Sequence, residues 1–174
     1  MENPDARIAL EENTDLPLLS KYADALVGLQ TSDDPMFLSA FFEHDSINKN
    51  IWEYLQGTPD IFKNFSGQSW LVRWENGEGL LLSTPTAYPT KGLKALGRPG
   101  IAINRMGKLF AYRYAKERFH QNVATIIPND PKHLSAIWCF CSSSEYREYI
   151  RHIDQSLKVT NATLAKVPFD LERW

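Results

Sequence analysis

The chain has 174 residues, of which 43% are hydrophobic, and its formal net charge is −2 at pH 7. This composition supports one sizeable buried core and gives no sign of large-scale disorder, so we expect a single domain. No apolar run approaches the roughly 20 residues that span a bilayer. Glu2 and Asp5 stand where a secretory signal would carry positive charge. These features disfavour a membrane or secreted protein and favour a cytoplasmic location.

The first part of the chain predicts an arm, a short helix and two strands. Residues 1–15 are acidic and include a proline, which is typical of a flexible arm, and residues 16–174 are expected to form the domain. A short helix after Pro17 is followed by the extended apolar stretch Ala25–Thr31. After an aspartate-rich turn, the apolar stretch Met36–Glu43 is predicted to be another strand.

The middle of the chain carries a hairpin signal and a long connection. Ser69–Trp74 and Gly79–Leu82 flank an Asn76-Gly77 pair, which is a strong signal for a two-residue hairpin turn. Thr84–Pro99 contains three prolines and two glycines, so it is predicted to be a surface connection.

Three strands and a helical region are predicted in the second half. The strands are Ile101–Arg105, Leu109–Ala115 and Val123–Ile127. In the second of them, strand alternation puts Tyr112 and Tyr114 on the face opposite Arg113. A final strand is predicted at Thr163–Val167, before Pro168.

The helical region begins at Asp130-Pro131, an N-cap acceptor followed by a first-turn proline. Apolar residues then recur at spacings of three and four up to Leu157, which predicts one long amphipathic helix or two with a break at Ser142–Ser144. The fold class that follows is α+β: a mostly antiparallel sheet with a long helix late in the chain.

One segment departs strongly from the overall charge. Residues 91–122 hold eight Lys or Arg against the single acid Glu117, whereas the first sixty residues hold three basic residues against twelve acidic ones. Aromatic residues are interleaved with these cations. Clustered cations among planar side chains suit a polyanion such as nucleic acid. The alternative is a solvated strand face whose charge is balanced by the acidic N-terminal part.

The sequence contains few residue patterns that would indicate an enzyme active site. The chain has no Gly-rich phosphate loop and no Gly-x-Ser-x-Gly elbow, and the spacing of its histidines and cysteines fits no metal site. Asp33 and Asp34 could form an acid–base pair, but adjacent carboxylates in a turn are usually caps. Cys139 and Cys141 are predicted to be reduced, unpaired core residues. A hydrolase that uses either thiol with His133 as base is the least favoured alternative, and we predict no catalytic and no metal-binding residue.

Several segments, in order along the chain, resemble one protein family. They are Val27–Phe37, Trp70–Gly77, Pro99-Gly-Ile-Ala-Ile-Asn-Arg-Met106, Asn122-Val-Ala-Thr-Ile-Ile-Pro-Asn129, Leu134–Tyr146 and Ile153–Leu171. Together they resemble the C-terminal target-recognition part of the large Eco57I-type adenine-specific DNA methyltransferases of restriction-modification and phage-defence systems. The resemblance covers nearly the whole chain from Leu16 onward. The chain departs from the family's usual pattern at Phe110–Arg118.

The resemblance implies a target-recognition-like domain that reads DNA without carrying the chemistry. The family's cofactor-binding strand end and Asn-Pro-Pro-Tyr-type loop do not occur in this sequence. No cofactor is therefore expected in this chain; S-adenosylmethionine is expected on a separate catalytic domain or subunit, which would be a partner together with double-stranded DNA. The chain would be a split subunit or a remnant of a longer gene. The alternative function is a non-catalytic interaction or assembly subunit without DNA affinity.

The expected DNA contacts fall in the basic segment and divide by chemistry. Lysines suit phosphates, arginines suit phosphates or guanine edges, and amides suit adenine edges. Taken singly, each amide is more typical of a turn or cap bond. The candidate DNA-binding residues are Lys91, Lys94, Arg98, Asn104, Arg105, Lys108, Arg113, Lys116, Arg118, Gln121 and Asn122.

Overall fold

A computed structural model describes residues 16–59 and 63–174 of the protein, so the acidic arm predicted at residues 1–15 lies outside the described residues. The strands in these ranges are β1 Ala23–Val27, β2 Leu38–Ala40, β3 Trp52–Gln56, β4 Trp70–Arg73, β5 Ile101–Asn104, β6 Ala111–Arg113, β7 Arg118–Phe119 and β8 Val123–Pro128. The α-helices are α1 Asp34–Phe37, α2 Leu80–Ser83, α3 Leu134–Ser142, α4 Ser144–Ile153 and α5 Asn161–Ala165. Short 3-10 turns lie at Leu19–Lys21, Phe41–Glu43, Glu75–Gly77, Leu93–Ala95 and Pro131–His133.

The strands form two four-stranded sheets within the described part of the chain. The first sheet has the order β1-β8-β5-β6, and all its pairs are antiparallel. The second has the order β2-β4-β3-β7, with one parallel pair, β3 with β7. Together with the helices, these antiparallel-dominated sheets confirm the predicted α+β class.

The first sheet is buried on both faces because its central strands are almost wholly apolar. Ile101 and Ile103 of β5 face a core completed by α3, α4 and α5, in which Tyr146, Phe140 and Phe169 are the largest fully buried side chains. The opposite face of β5 carries Ala102 and packs with a smaller cluster around the loop before β5 and around β7. The second sheet has its own core of seven buried residues: Leu29, Phe37, Leu55, Val72, Trp74, Leu81 and Ala87.

The predicted helical region is two helices, and the break between them has a local cause. The Ser143 hydroxyl accepts a hydrogen bond from the Tyr146 backbone N–H at 3.1 Å and donates to the Phe140 carbonyl at 2.7 Å. One residue thereby ends α3 and caps α4. Asp130 acts as predicted, because its carboxylate accepts from the Lys132 N–H at the start of the 3-10 turn.

Three predicted elements are wrong. Gly79–Leu82 does not pair with β4; it enters the helix α2, whose Leu81 side chain is buried in the core of the second sheet. Thr163–Val167 is not a strand, because Thr160 caps the helix α5 and Leu164 turns inward with it. Met36–Glu43 is a strand only over β2, with helical turns on both sides.

Candidate nucleic-acid interface

Three arginines of the basic segment bind groups of this chain itself. Arg98 donates to the carbonyl of Pro128 at 3.1 Å. Arg105 donates to the carbonyls of Val159 and Gln121, both at 2.9 Å. The Arg118 side chain is 10% exposed, pairs with Glu53 at 2.6 Å and lies 3.4 Å above the ring of Trp74. These three guanidinium groups connect segments of the fold, so part of the charge seen in the sequence is structural.

The three candidate amides have different surroundings. Asn104 is buried, and its Oδ1 accepts from the Met106 N–H at 3.1 Å, which is the turn bond typical of asparagine. Gln121 is half-buried, and its carbonyl is one of the two acceptors of Arg105. The Oδ1 of Asn122 accepts from the Nζ of Lys158 at 2.7 Å, and Asn122 lines a cavity.

The remaining five cations, Lys91, Lys94, Lys108, Arg113 and Lys116, are exposed. Lys91 lies over the ring of Tyr88 at 4.1 Å. Lys108 is in the turn of the β5–β6 hairpin, and Arg113 ends β6. Because a strand rises about 3.3 Å per residue, these two positions are on the order of 16 Å apart along the hairpin. The basic segment therefore presents separate charged sites rather than one continuous patch.

Arg113 and Lys116 line an open cleft of about 470 Å³ together with Phe65, Trp138 and six other residues. The Phe65 ring is 69% exposed, and the Arg113 guanidinium lies 5.3 Å from its centre. The Arg113 N–H donates to the carbonyl of Asn64 at 2.8 Å, which holds this wall of the cleft against β6. The predicted alternation on β6 accounts for the geometry: Tyr112 and Tyr114 are buried, and Arg113 is exposed.

The turn of the β5–β6 hairpin is a second basic region, but most of its cations are engaged. Arg151 of α4 donates to the carbonyls of Gly107 and Ser156, both at 2.6 Å. Burial lowers the pKa of Arg105, and burial together with the nearby Arg105 charge lowers the pKa of Lys158. Neither Arg105 nor Lys158 has an acidic partner among the described residues.

A cavity beside this turn was not anticipated from the sequence. It encloses about 400 Å³ and is lined by nine residues: Asp34, Pro35, Leu38, Leu55, Gly57, Thr58, Trp70, His120 and Asn122. The buried His120 ring contacts the Asp34 carboxylate, with its Nε2 atom 3.2 Å from Oδ2. Asp34 also accepts a hydrogen bond from the Thr31 hydroxyl. A histidine inside a basic segment was the available signal, but its partner lies 86 residues away.

Close backbone contact brings His120 to Asp34. Leu29 pairs with His120 in an isolated parallel bridge, and the Leu29 N–H donates to the Phe119 carbonyl at 2.8 Å. A Cβ atom at Gly28 would lie 2.0 Å from that same carbonyl, so only glycine fits there. The turn that follows places the Asp34 carboxylate next to the His120 ring. Asp33 instead caps α1 by accepting a hydrogen bond from the Met36 N–H.

The two thiols differ in environment. Cys141 is buried, and burial raises the pKa of its thiol, which disfavours the reactive thiolate. Cys139 is exposed, so the prediction that both thiols are core residues is wrong for Cys139. In residues 16–59 and 63–174, no cluster of three or more potential metal ligands is found. No helix in these ranges is long and apolar enough to cross a membrane.

No protein-family model matches the chain, and no curated protein matches it significantly.

Proposed function

We propose that this chain is the DNA target-recognition module of an adenine-N6 DNA methyltransferase, acting in the cytoplasm in restriction-modification or phage defence. It would grip and orient duplex DNA. A separate catalytic domain or subunit would supply S-adenosylmethionine binding, extrusion of the adenine and methyl transfer. The proposal rests on the resemblance of the sequence segments and on the chemistry of one cleft.

The observation that carries the proposal is the cleft lined by Arg113, Lys116 and Phe65. Both cations are exposed and have no acidic partner among the described residues. Exposed cations that the fold does not use favour a polyanionic partner, because each phosphate contact releases counterions. An exposed aromatic ring beside them offers a surface for a sugar or a base.

The division between structural and exposed cations reduces the number of residues that we expect to contact DNA. Lys91, Lys94, Lys108, Arg113 and Lys116 are the candidates for phosphate contact, because their charges reach solvent. Arg98, Arg105 and Arg118 would support the surface from beneath by holding its segments. Arg113 is the candidate for a base edge, because a guanidinium can donate two hydrogen bonds to guanine O6 and N7.

The test is a titration of duplex DNA at several salt concentrations with the wild-type chain and an Arg113→Ala/Lys116→Ala variant. We expect the wild type to bind with a strong salt dependence. The variant should bind about tenfold more weakly at low salt, with a salt slope smaller by about 0.9 for each of the two cations that contacts a phosphate. Absence of binding by the wild type would overturn the proposal.

A charge-matched control separates a local contact from net charge. Lys21 precedes β1, and Lys166 follows α5, which packs on β1, so both lie at the sheet edge opposite β6. A Lys21→Ala/Lys166→Ala variant loses the same charge and is expected to bind DNA almost as the wild type does. An equal loss of affinity in both variants would argue against the cleft as the contact.

The assignment of chemistry to a separate domain has its own test. The purified chain, incubated with DNA and labelled S-adenosylmethionine, is expected to transfer no label. Detectable methylation would contradict the proposal that this chain recognises DNA but does not modify it.

The alternative is an interaction or assembly subunit without DNA affinity. Phe41 and Phe42 stack edge to face beside β2, and Phe42 is 72% exposed, which is typical of a surface that meets another protein. A stable complex from nuclease-treated lysate, lost in a Phe41→Ser/Phe42→Ser variant, would favour this alternative if the purified chain also fails to bind DNA.

A further inference from the structure

The cavity beside the hairpin turn combines a flat apolar wall with a polar edge. At about 400 Å³ it lies within the size range of small-ligand sites. Leu38, Leu55 and Pro35 contribute apolar surface. The Trp70 side chain is 41% exposed and lies against Gly57, where an added Cβ atom would sit 3.0 Å from the indole Cδ1. Among the described residues, the Trp70 indole is the one aromatic group of tryptophan, tyrosine or phenylalanine type in the cavity lining, so it is the side chain on which a planar ring would stack.

The polar edge has a defined pattern of donors and acceptors. The Asn122 backbone N–H points at His120 Nδ1 at 3.4 Å, so Nδ1 is the acceptor and Nε2 carries the hydrogen that faces Asp34. Burial lowers the pKa of His120 and favours this neutral ring. The Asp34 carboxylate therefore accepts from Thr31 and His120, and its two oxygens keep capacity for a further donor.

Asn122 supplies the complementary group. Its Oδ1 is held by the Nζ of Lys158, which orients the amide and leaves its Nδ2 as a hydrogen-bond donor. The cavity edge thus presents a carboxylate acceptor beside an amide donor. The charge of Lys158 therefore lies next to a residue that lines the cavity, and Arg105 is close enough to Lys158 to lower its pKa.

The geometry points to this cavity as the receiving site for a single unpaired nucleobase that carries an exocyclic amine. The amine would donate to Asp34, a ring nitrogen or carbonyl would accept from Asn122, and the ring would stack on Trp70. Adenine, cytosine and guanine all carry such an amine. Thymine presents carbonyl oxygens at the equivalent position, which a carboxylate repels. The base would come from DNA held by the module, so this inference rests on the proposed function.

Labelled duplexes that differ only in one extrahelical base test the inference. We expect duplexes with an unpaired adenine, cytosine or guanine to bind about tenfold more tightly than the same duplex with an unpaired thymine, since the exocyclic amine donates to the carboxylate and a thymine carbonyl cannot. Asp34→Asn should abolish this preference. Asp33→Asn removes the same charge from the neighbouring residue, which caps α1, and should keep it.

A second pair of variants addresses stacking and folding. Trp70→Leu is expected to weaken binding of every extrahelical base, whereas Phe42→Leu, a change of a more exposed aromatic residue in the turn that follows β2, should have no effect. Thermal melts of all variants establish that each is folded. A base preference that survives in Asp34→Asn would overturn the inference.

A DNA-independent arm distinguishes failure of the inference from failure of the proposed function. Deoxyadenosine and thymidine are titrated separately into the chain and followed by NMR of the tryptophan indoles. Saturable binding of deoxyadenosine alone, with no binding of any duplex, would support the cavity and contradict the DNA-recognition role. Salt-dependent duplex binding without base preference and without deoxyadenosine binding would support the DNA-recognition role and contradict the base site in the cavity.

Discussion

The β5–β6 hairpin carries positive charge at both of its ends, but the two ends use that charge differently. At the turn end, Arg105 and the α4 residue Arg151 donate to backbone carbonyls of five residues. At the strand end, Arg113 and Lys116 are exposed and line an open cleft. Arg105 thus connects segments of the fold at one end of the hairpin, whereas Arg113 and Lys116 face solvent at the other.

The difference shows why charge density alone is an incomplete guide to a binding surface. A guanidinium that faces backbone carbonyls is already engaged and contributes stability rather than affinity. A cation next to an exposed ring is available to a partner. Four predictions test this contrast, and their expected effects become progressively smaller.

The largest effect is expected for Arg105→Ala at the turn end. Its loss leaves the carbonyls of Val159 and Gln121 without a donor, so the free energy of unfolding should fall by about 2–3 kcal/mol. Urea denaturation measures this change. Lys108→Ala, in the same turn but exposed, should stay within about 0.5 kcal/mol of wild type. Equal stability of the two variants would contradict the distinction between engaged and exposed cations.

Arg118→Met should have the next largest effect, because Arg118 of β7 pairs with Glu53 of β3 and lies over the ring of Trp74. The change removes the contact with Trp74 and the pair with Glu53, which is 39% exposed and therefore partly screened by solvent. We expect a loss of about 1–2 kcal/mol in the same denaturation assay. Lys116→Met is the matched change at an exposed position, and a comparable loss there would contradict the structural role of Arg118.

The turn end should also respond to pH through His120. Burial is the main cause that lowers the pKa of His120, Asp34 partly opposes it, and Lys158 adds to it. The unfolded chain therefore binds a proton more readily than the folded one between the lowered pKa and about 6.5. The free energy of unfolding should fall as pH decreases through this window and level off below it.

A matched pair of variants identifies the histidine. His120→Gln should flatten the dependence of the denaturation midpoint on pH in the window below about 6.5. His152→Gln, at an exposed position of α4, should leave the dependence as in wild type. A slope unchanged by His120→Gln would assign the pH response to another group.

The smallest effects are expected for single exposed lysines in DNA binding. Lys108→Ala and Lys116→Ala should each weaken duplex binding by about threefold to tenfold if both ends meet phosphates. Because the two sites are more than about 10 Å apart, their effects on the binding free energy should add in the double variant. An effect of Lys116→Ala alone would restrict the DNA surface to the strand end.

Local patterns allowed much of the fold to be predicted. The three strands of the second half follow from apolar runs bounded by turn residues. Strand alternation placed Arg113 opposite Tyr112 and Tyr114, and the structure decided that the tyrosine face is buried. The predicted hairpin at Asn76-Gly77 failed because β4 already pairs with β2 and β3, and Leu81 gains burial as part of a helix. Tertiary packing outweighed a local turn preference.

The candidate site was predictable only in part. The exposed cations lie within the segment that the sequence singled out, whereas the cavity depends on Asp34 and Trp70, far from it in the chain. Nothing local distinguishes Asp34 from the capping residue Asp33. The pairing of Leu29 with His120 distinguishes the two aspartates, because it brings the Asp34 carboxylate into contact with the His120 imidazole.

The sequence by itself determined the α+β class, the basic segment and the capped start of the helical region, because each depends on neighbouring residues and on hydrophobic periodicity. It left open one helix or two with a break at the serines, and the structure decided for two. Only the tertiary structure decided which cations are engaged and which are exposed. Hydrogen-bond partners and burial join residues that are distant in the chain, as Arg105 joins Gln121 and Val159. Such contacts form when the segments pack, and they leave no periodic trace in the sequence.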